Sequence, residues 1–185
     1  MALSLNKLND YYKQSKKIDS VVRNDLVGDD EIVYGARSVN KILPSHLEKP
    51  TEDWDIYSKT PKAAAVEAER KLDRSFGDNY FETKKAIHPG TWKVTSKVTN
   101  RGVIDFTKRT KEIPYRTIGG IRYAKLSHTK ENIKRALSEP ESSYRHEKDK
   151  ETRQRIAIYE KGLPKQEKRT NPKKFSLFSG KNLFG

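Results

Sequence analysis

Apolar residues recur at two different periods along this chain, and the switches between them mark its elements. From Leu3 to Val22, the residues Leu5, Leu8, Tyr12, Ile18 and Val22 stand among Lys and Asn at loosely helical spacing, which predicts a short amphipathic helix. Glu31 to Tyr34 is a brief apolar strand that runs into Gly35, and Ala36 to Leu43 reads as a helix stopped by Pro44. Beyond a loop from Ser45 to Glu52, Asp53-Trp54-Asp55-Ile56-Tyr57 alternates acidic and apolar residues, the period of a half-buried strand. Pro61 then opens an Ala-rich, charged helix from Lys62 to Phe76, and Gly77 follows where a left-handed cap is common.

Three segments of strand character come next, Tyr80 to Thr83, Thr91 to Thr99 and Val103 to Thr107. The turns His88-Pro89-Gly90 and Asn100-Arg101-Gly102 separate them and predict an antiparallel extension of the sheet. Ile121 to Ala124 is a further short strand. Ser127 is expected to cap a helix from Thr129 to Leu137, whose Asn132, Ile133, Ala136 and Leu137 leave one apolar face, and Lys148 to Tyr159 reads as a last, strongly charged helix. After Gly162 the pattern dissolves into Pro, Lys and Arg, followed by Phe175, Leu177, Phe178, Leu183 and Phe184 between Ser and Gly. Such a basic and aromatic tail builds no core of its own. Docking in a groove of this protein or of a partner, and a passive solubilising end, both suit its composition. The resulting division is an N-terminal helical segment (1–30), a core (31–125), two C-terminal helices of the same domain (126–160) and the tail (161–185).

Composition narrows the function classes. A chain of 185 residues has room for one domain plus tails. Apolar content of 33% against 35% charged residues implies a modest core and a large polar periphery. The formal charge of +14 favours polyanions through salt-sensitive phosphate contacts, so nucleic acid is the first partner expected. With no cysteine, disulfides and thiolate zinc sites are excluded. His46, His88, His128 and His146 lack the short spacings that put two ligands on one helical face, and they are read as surface or internally satisfied residues. No apolar run approaches the roughly 18 residues of a membrane span, and the start Met-Ala-Leu-Ser-Leu-Asn-Lys lacks the apolar stretch of a signal peptide. The expected location is intracellular, in cytoplasm or nucleus or packaged in a particle, without membrane contact or secretion.

Residues two apart on a strand face the same side, so Asp53 and Asp55 project together, about 7 Å apart along the backbone, while Trp54 and Ile56 point into the core. Two carboxylates on one face suit a divalent cation such as Mg2+ or Mn2+, which takes oxygen ligands and keeps some water, and Asp105 on a neighbouring strand is the candidate third ligand. Taken alone, the Asp-x-Asp pair is a weak signal, and solvated acids on an edge strand are the better reading of it. Upstream, Gly35 between a strand and a helix lets the N–H groups of the helix start approach a triphosphate without a Cβ in the way, with Arg37 and Ser38 placed to add side-chain contacts.

Together, Tyr34-Gly35-Ala36-Arg37-Ser38-Val39-Asn40, Thr51 to Tyr57 and the later Asp105 resemble the nucleotidyltransferase superfamily that includes DNA polymerase β. They look particularly like small nucleotidyltransferase-like proteins encoded by large DNA viruses. Leu126-Ser127-His128 through Lys134-Arg135-Ala136-Leu137 and the run Arg145-His146-Glu147-Lys148-Asp149 are similar to the family's following helices, which extends the resemblance from about Glu31 to Tyr159. The resemblance implies an α+β fold, a mixed sheet with flanking helices. It implies that Asp53, Asp55 and Asp105 bind metal, that Gly35 and Ser38 meet phosphate, and that Lys134 reaches the phosphates. It also implies transfer of a nucleotidyl group from a nucleoside triphosphate to a hydroxyl. The sequence departs from the family at Ala36, where Gly or Ser is usual, and at Arg155-Ile156, where an acidic residue commonly precedes Ile. Several branches of the superfamily keep the fold without activity. A structural or nucleic-acid-binding component, for instance of a virus particle, is therefore the alternative function, and a modifier of a partner protein or tRNA differs from the first only in its acceptor.

Overall fold

Strand β2 (Trp54–Ser58) lies in the middle of a seven-stranded sheet and organises everything around it. The structure, a computed structural model, describes residues 14–28 and 30–162. The sheet runs in the order β3-β4-β5-β2-β1-β7-β6, with β1 at Ile32–Tyr34, β3 at Phe81–Lys85, β4 at Thr91–Ser96, β5 at Gly102–Lys108, β6 at Tyr115–Ile118 and β7 at Ile121–Ala124. The pairs β1–β2, β3–β4, β4–β5 and β6–β7 are antiparallel, whereas β2–β5 and β1–β7 are parallel, so the sheet is mixed. The expected antiparallel extension is the β3-β4-β5 edge. The two parallel pairings come from crossovers that no local pattern announces.

Alternation decides which face of the sheet is core. Trp54, Ile56, Val33, Ile104 and Phe106 are buried together with Ala65, Ala68 and Leu72 of helix α3 (Pro61–Phe76). The helical residues 14–21, here α1, run into a short π-turn at Val22–Leu26 and add Val21 and Val22 to the same cluster. α3 begins with Pro61 in its first turn and ends at Gly77 with φ of 81°, the proline-first, glycine-last boundary read from the sequence. The other face carries helices α2 (Gly35–Ile42), α4 (Leu126–Ser138) and α5 (His146–Gly162), which meet through Val39, Leu43, Leu126 and Ile156.

Three expectations change. Strand β6 was not assigned from the sequence, yet Tyr115 to Ile118 pairs with β7 through a two-residue Gly119-Gly120 turn in which both φ values are positive, 58° and 80°. Gly-Gly between two short runs is a recognised hairpin signal, so the information was present locally. Ser127 is not a cap, because α4 starts one residue earlier, at Leu126, and its N-cap position is Lys125 without a side-chain hydrogen bond. The last helix begins at His146 and is preceded by a 3-10 segment, Pro140–Arg145. The first part of the N-terminal helix and the tail beyond Gly162 lie outside the described residues. Among the described residues no helix is long and apolar enough to cross a membrane.

Candidate functional site

The register of the central strands brings the sequence-separated acids together. Asp55 is directly opposite Asp105 on the parallel neighbour β5 and opposite Tyr34 on β1, while Asp53 precedes β2 on the same side as Asp55. Tyr34 ends β1, and Gly35 starts α2 with φ of 66°. A Cβ on Gly35 would lie 2.0 Å from Asp55 Oδ2, so the Asp55 carboxylate is packed onto the helix start and only glycine fits there. The Asp55 carboxylate therefore abuts the start of α2, level with Asp105 on the next strand.

Burial and like charge dominate the electrostatics. The Asp55 carboxyl is pushed up to about 7 by burial first, then by the charges of Asp53 and Asp105, against an opposing pull from Lys148 in the first turn of α5 and Arg145 just before it. Asp105 is also raised, chiefly by burial, although Lys93 on β4 holds it back with an ion pair of 3.3 Å. Burial and the neighbouring Asp55 push the Tyr34 phenol up as well, and its hydroxyl is hydrogen-bonded to Thr107 at 2.8 Å. Three acids thus crowd one another, and Lys93, Lys148 and Arg145 only partly offset the effect of burial on Asp55 and Asp105.

That repulsion shows in the side chains. Asp53 Oδ1 accepts a hydrogen bond from Thr51 at 3.2 Å and Asp105 turns to Lys93, so the outer two acids each have a local partner. Among the described residues, no three His, Cys, Asp or Glu side chains converge into one group able to hold a metal ion. The donor set is nevertheless all oxygen, the chemistry that Mg2+ and Mn2+ take, and Asp55 has the charge deficit that a cation relieves.

Around the acids stand residues that the sequence did not single out as site residues. Arg145 pairs bidentately with Asp149, at 2.8 and 3.1 Å, and with Lys148 directs positive charge toward Asp55. Tyr57, on the Asp55 face, stacks on Tyr34 at 4.0 Å, and its hydroxyl meets His128 at 3.2 Å and Asn132 at 3.4 Å on α4. His88, whose charge is felt at Asp105, is bonded across the chain to the exposed Tyr144 at 3.0 Å. The run Arg145 to Asp149 had been noticed only as a resemblance. Its nearness to Asp55 depends on α5 folding back over the sheet, which spacing does not reveal.

Two of the expected phosphate contacts are differently employed. Ser38 is fully buried and donates its hydroxyl to the Ala124 carbonyl at 2.6 Å, tying α2 to β7 instead of facing the cleft. The reason is helical geometry, since Ser38 and Val39 form the side of α2 that packs inward. Arg37 donates to the backbone carbonyls of Asp53 at 2.7 Å and Glu52 at 3.2 Å, pairs with Asp19 at 2.9 Å, and lies 4.1 Å above the Trp54 ring. It supports the Asp53 backbone from the Trp54 side. Lys134 is exposed, two residues from Asn132 and so turned off the stripe of α4 that meets Tyr57. Arg135, whose charge is felt at Tyr57, is nearer that stripe.

The sheet is mixed, with acids paired on two parallel central strands and a glycine-led helix beside them, an α+β architecture. In agreement, the chain is similar to the crystal structure of the Megavirus polyadenylate synthase, with a TM-score of 0.68 over 85% of this chain. The identity is 18%, so the likeness is one of fold, and this chain spans 33% of that protein. No protein-family model and no curated protein matches the sequence.

Proposed function

We propose that this chain is a divalent-cation-dependent nucleotidyltransferase that moves a nucleotidyl group from a nucleoside triphosphate to a hydroxyl acceptor. The observation that carries this reading is the apposition of Asp55 with Asp105 in strand register and with Gly35 at the start of α2. Asp53, Asp55 and Asp105 would hold Mg2+ or Mn2+, which when bound supplies electrostatic stabilisation of charge on the phosphate oxygens. The chain's own groups have separate tasks. The N–H groups at the start of α2 would donate to the triphosphate oxygens, beside the Asp55 carboxylate for which Gly35 leaves room. Arg145 and Lys148 add positive potential on the side of Asp55. Asp105, with its proton affinity raised by burial, takes the proton of the acceptor hydroxyl as its oxygen bonds to the α-phosphorus. The bond from that phosphorus to pyrophosphate breaks, and the leaving group departs with the electron pair.

The test is to incubate the chain with α-labelled nucleoside triphosphates, Mg2+ or Mn2+, and RNA, DNA or protein acceptors. An RNA 3′ end with ATP is the first arm, since the similar solved structure is a polyadenylate synthase. The expected outcome is label on the acceptor with release of pyrophosphate, lost in Asp55→Asn/Asp105→Asn and with chelator. No transfer to any acceptor overturns the proposal.

Two observations favour a second reading, an inactive nucleotidyltransferase-like module that binds nucleic acid or serves as a structural component. Lys93 already neutralises Asp105, and the chain carries a net charge of +14. On that reading the protein retards single-stranded nucleic acid in a salt-dependent way and transfers nothing, and Lys93→Ala creates no activity.

A further inference from the structure

On the face of β2 opposite Asp55, a cleft of about 290 Å3 opens between the end of α1, helix α2 and the approach to β2. Trp54 and Tyr123, both members of the main core, form its floor, and Arg23, Arg37 and Lys41 stand around it. Arg37 is committed on one side to Asp53, Glu52 and Asp19, but its Nη1 makes no hydrogen bond among the described residues. Arg23 and Lys41 have no ion pair among the described residues, and the acid that the lining sets against them is the exposed Glu48. Tyr123 is only 2% exposed and lines the cleft, yet its hydroxyl has no hydrogen-bond partner among the described residues.

Three cations and an unpaired hydroxyl around one floor select an anion with several oxygens. The indole ring of Trp54 is already covered by Arg37 at 4.1 Å and Arg23 at 5.1 Å, so it offers no platform for a base. Guanidinium groups match the oxygens of phosphate through paired N–H donors, and an ammonium adds a point charge. We propose that this cleft is a second phosphate-binding site, separate from the carboxylate cleft, which holds the phosphate of a nucleotide or of a nucleic-acid strand through Arg23, Arg37, Lys41 and the Tyr123 hydroxyl. It lies between α2 and Trp54, whose side chain points away from Asp55, and does not depend on the transferase reading. Because Arg37 also holds the Asp53 carbonyl at 2.7 Å, an occupant of the cleft is one bonded step from the acids.

The chain contains two tryptophans, so in a Trp92→Phe background Trp54 is the single indole and its emission reports the cleft. In chelator, the full chain is titrated with inorganic phosphate, with AMP and with oligouridylate. A saturable change with AMP identifies a mononucleotide site, and a change with oligouridylate alone identifies a strand site. In either case Arg23→Ala/Lys41→Ala is expected to weaken binding about tenfold or more, and to lower the salt slope for the oligonucleotide by about two. Tyr123→Phe keeps the ring and is expected to weaken binding by a smaller factor, with the melting temperature unchanged. Asp55→Asn/Asp105→Asn is expected to bind as the parent does, which separates this site from the carboxylate cleft. No response of Trp54 to any of the three ligands, or equal affinity in the Arg23/Lys41 variant, overturns the proposal.

Discussion

The two faces of strand β2 differ in almost every physical respect although their residues alternate along five positions. Trp54 and Ile56 are fully buried in apolar surroundings, and Trp54 Nε1 donates to Asp19 at 2.8 Å, so this face has its polar need met and its volume filled. Asp53, Asp55 and Tyr57 lie on the side where like charges meet, burial and those charges push the Asp55 carboxyl up to about 7, and the absence of a Cβ at Gly35 makes room for that carboxylate. One face contributes stability, and the other gives some of it up to keep acids close together. Perturbed carboxyls of this kind cluster at functional sites, because the strain is held by a rigid support behind them.

This contrast can be broken from either side. The largest effect is expected on chemistry. Asp55→Asn with Asp105→Asn should lower nucleotidyl transfer by about three orders of magnitude or more while circular dichroism stays unchanged. Asp53→Asn with Asp55→Asn should abolish Mg2+ or Mn2+ binding by calorimetry, and unchanged affinity would remove the metal from the site. On the opposite face, Trp54→Ala should cost roughly 3 to 5 kcal/mol in denaturant unfolding, as for buried aromatics generally. A cost below about 1 kcal/mol would contradict the division of the strand into a supporting and a working face.

Gly35→Ala joins the two effects. The positive φ costs roughly 1 to 2 kcal/mol for any side chain, and the added methyl displaces the Asp55 carboxylate. Activity should fall about 100-fold, a loss that an ångström-scale misplacement produces. Near-normal turnover with lowered stability would show that the Asp55 position is not critical.

The pH dependence has a sign that the geometry fixes. Asp55 in the folded chain titrates near 7 instead of 3.8, so between those values the folded protein binds more protons than the unfolded chain. In chelator, the contribution of this group is therefore fully favourable below about pH 4 and is lost as pH rises through 7, to the extent of roughly 2 to 4 kcal/mol. Asp55→Asn should flatten that slope and be the more stable form at pH 8, as read from urea midpoints at several pH values. A parent protein that grows more stable from pH 4 to 8 relative to Asp55→Asn would refute it. The smallest effect concerns Ser38→Ala, which leaves the Ala124 carbonyl without its donor and should cost about 1 to 3 kcal/mol with an unchanged KM for the triphosphate. A raised KM with full stability would return Ser38 to the phosphate site.

Much of the site was legible in the chain itself because its signals are local. Period-2 alternation put Asp53 and Asp55 on one side and Trp54 on the other, and the strand, glycine and helix sequence at Tyr34-Gly35-Ala36 put a helix start beside them. Pro61 and Gly77 bounded α3 because each fixes its own backbone conformation. What residue spacing does not contain is the partner across a long loop. That Asp55 stands level with Asp105 depends on the parallel β2–β5 register, and that Arg145 and Lys148 reach Asp55 depends on where α5 packs. Ser38 and Arg37 were assigned to phosphate by their position after the glycine, but the roll of α2 against β7 and Trp54 buried one and turned the other to the far face. Local sequence sets backbone conformation and the period of burial. The choice among a residue's competing partners is made by contacts between elements distant in the chain, and only the folded structure supplies those.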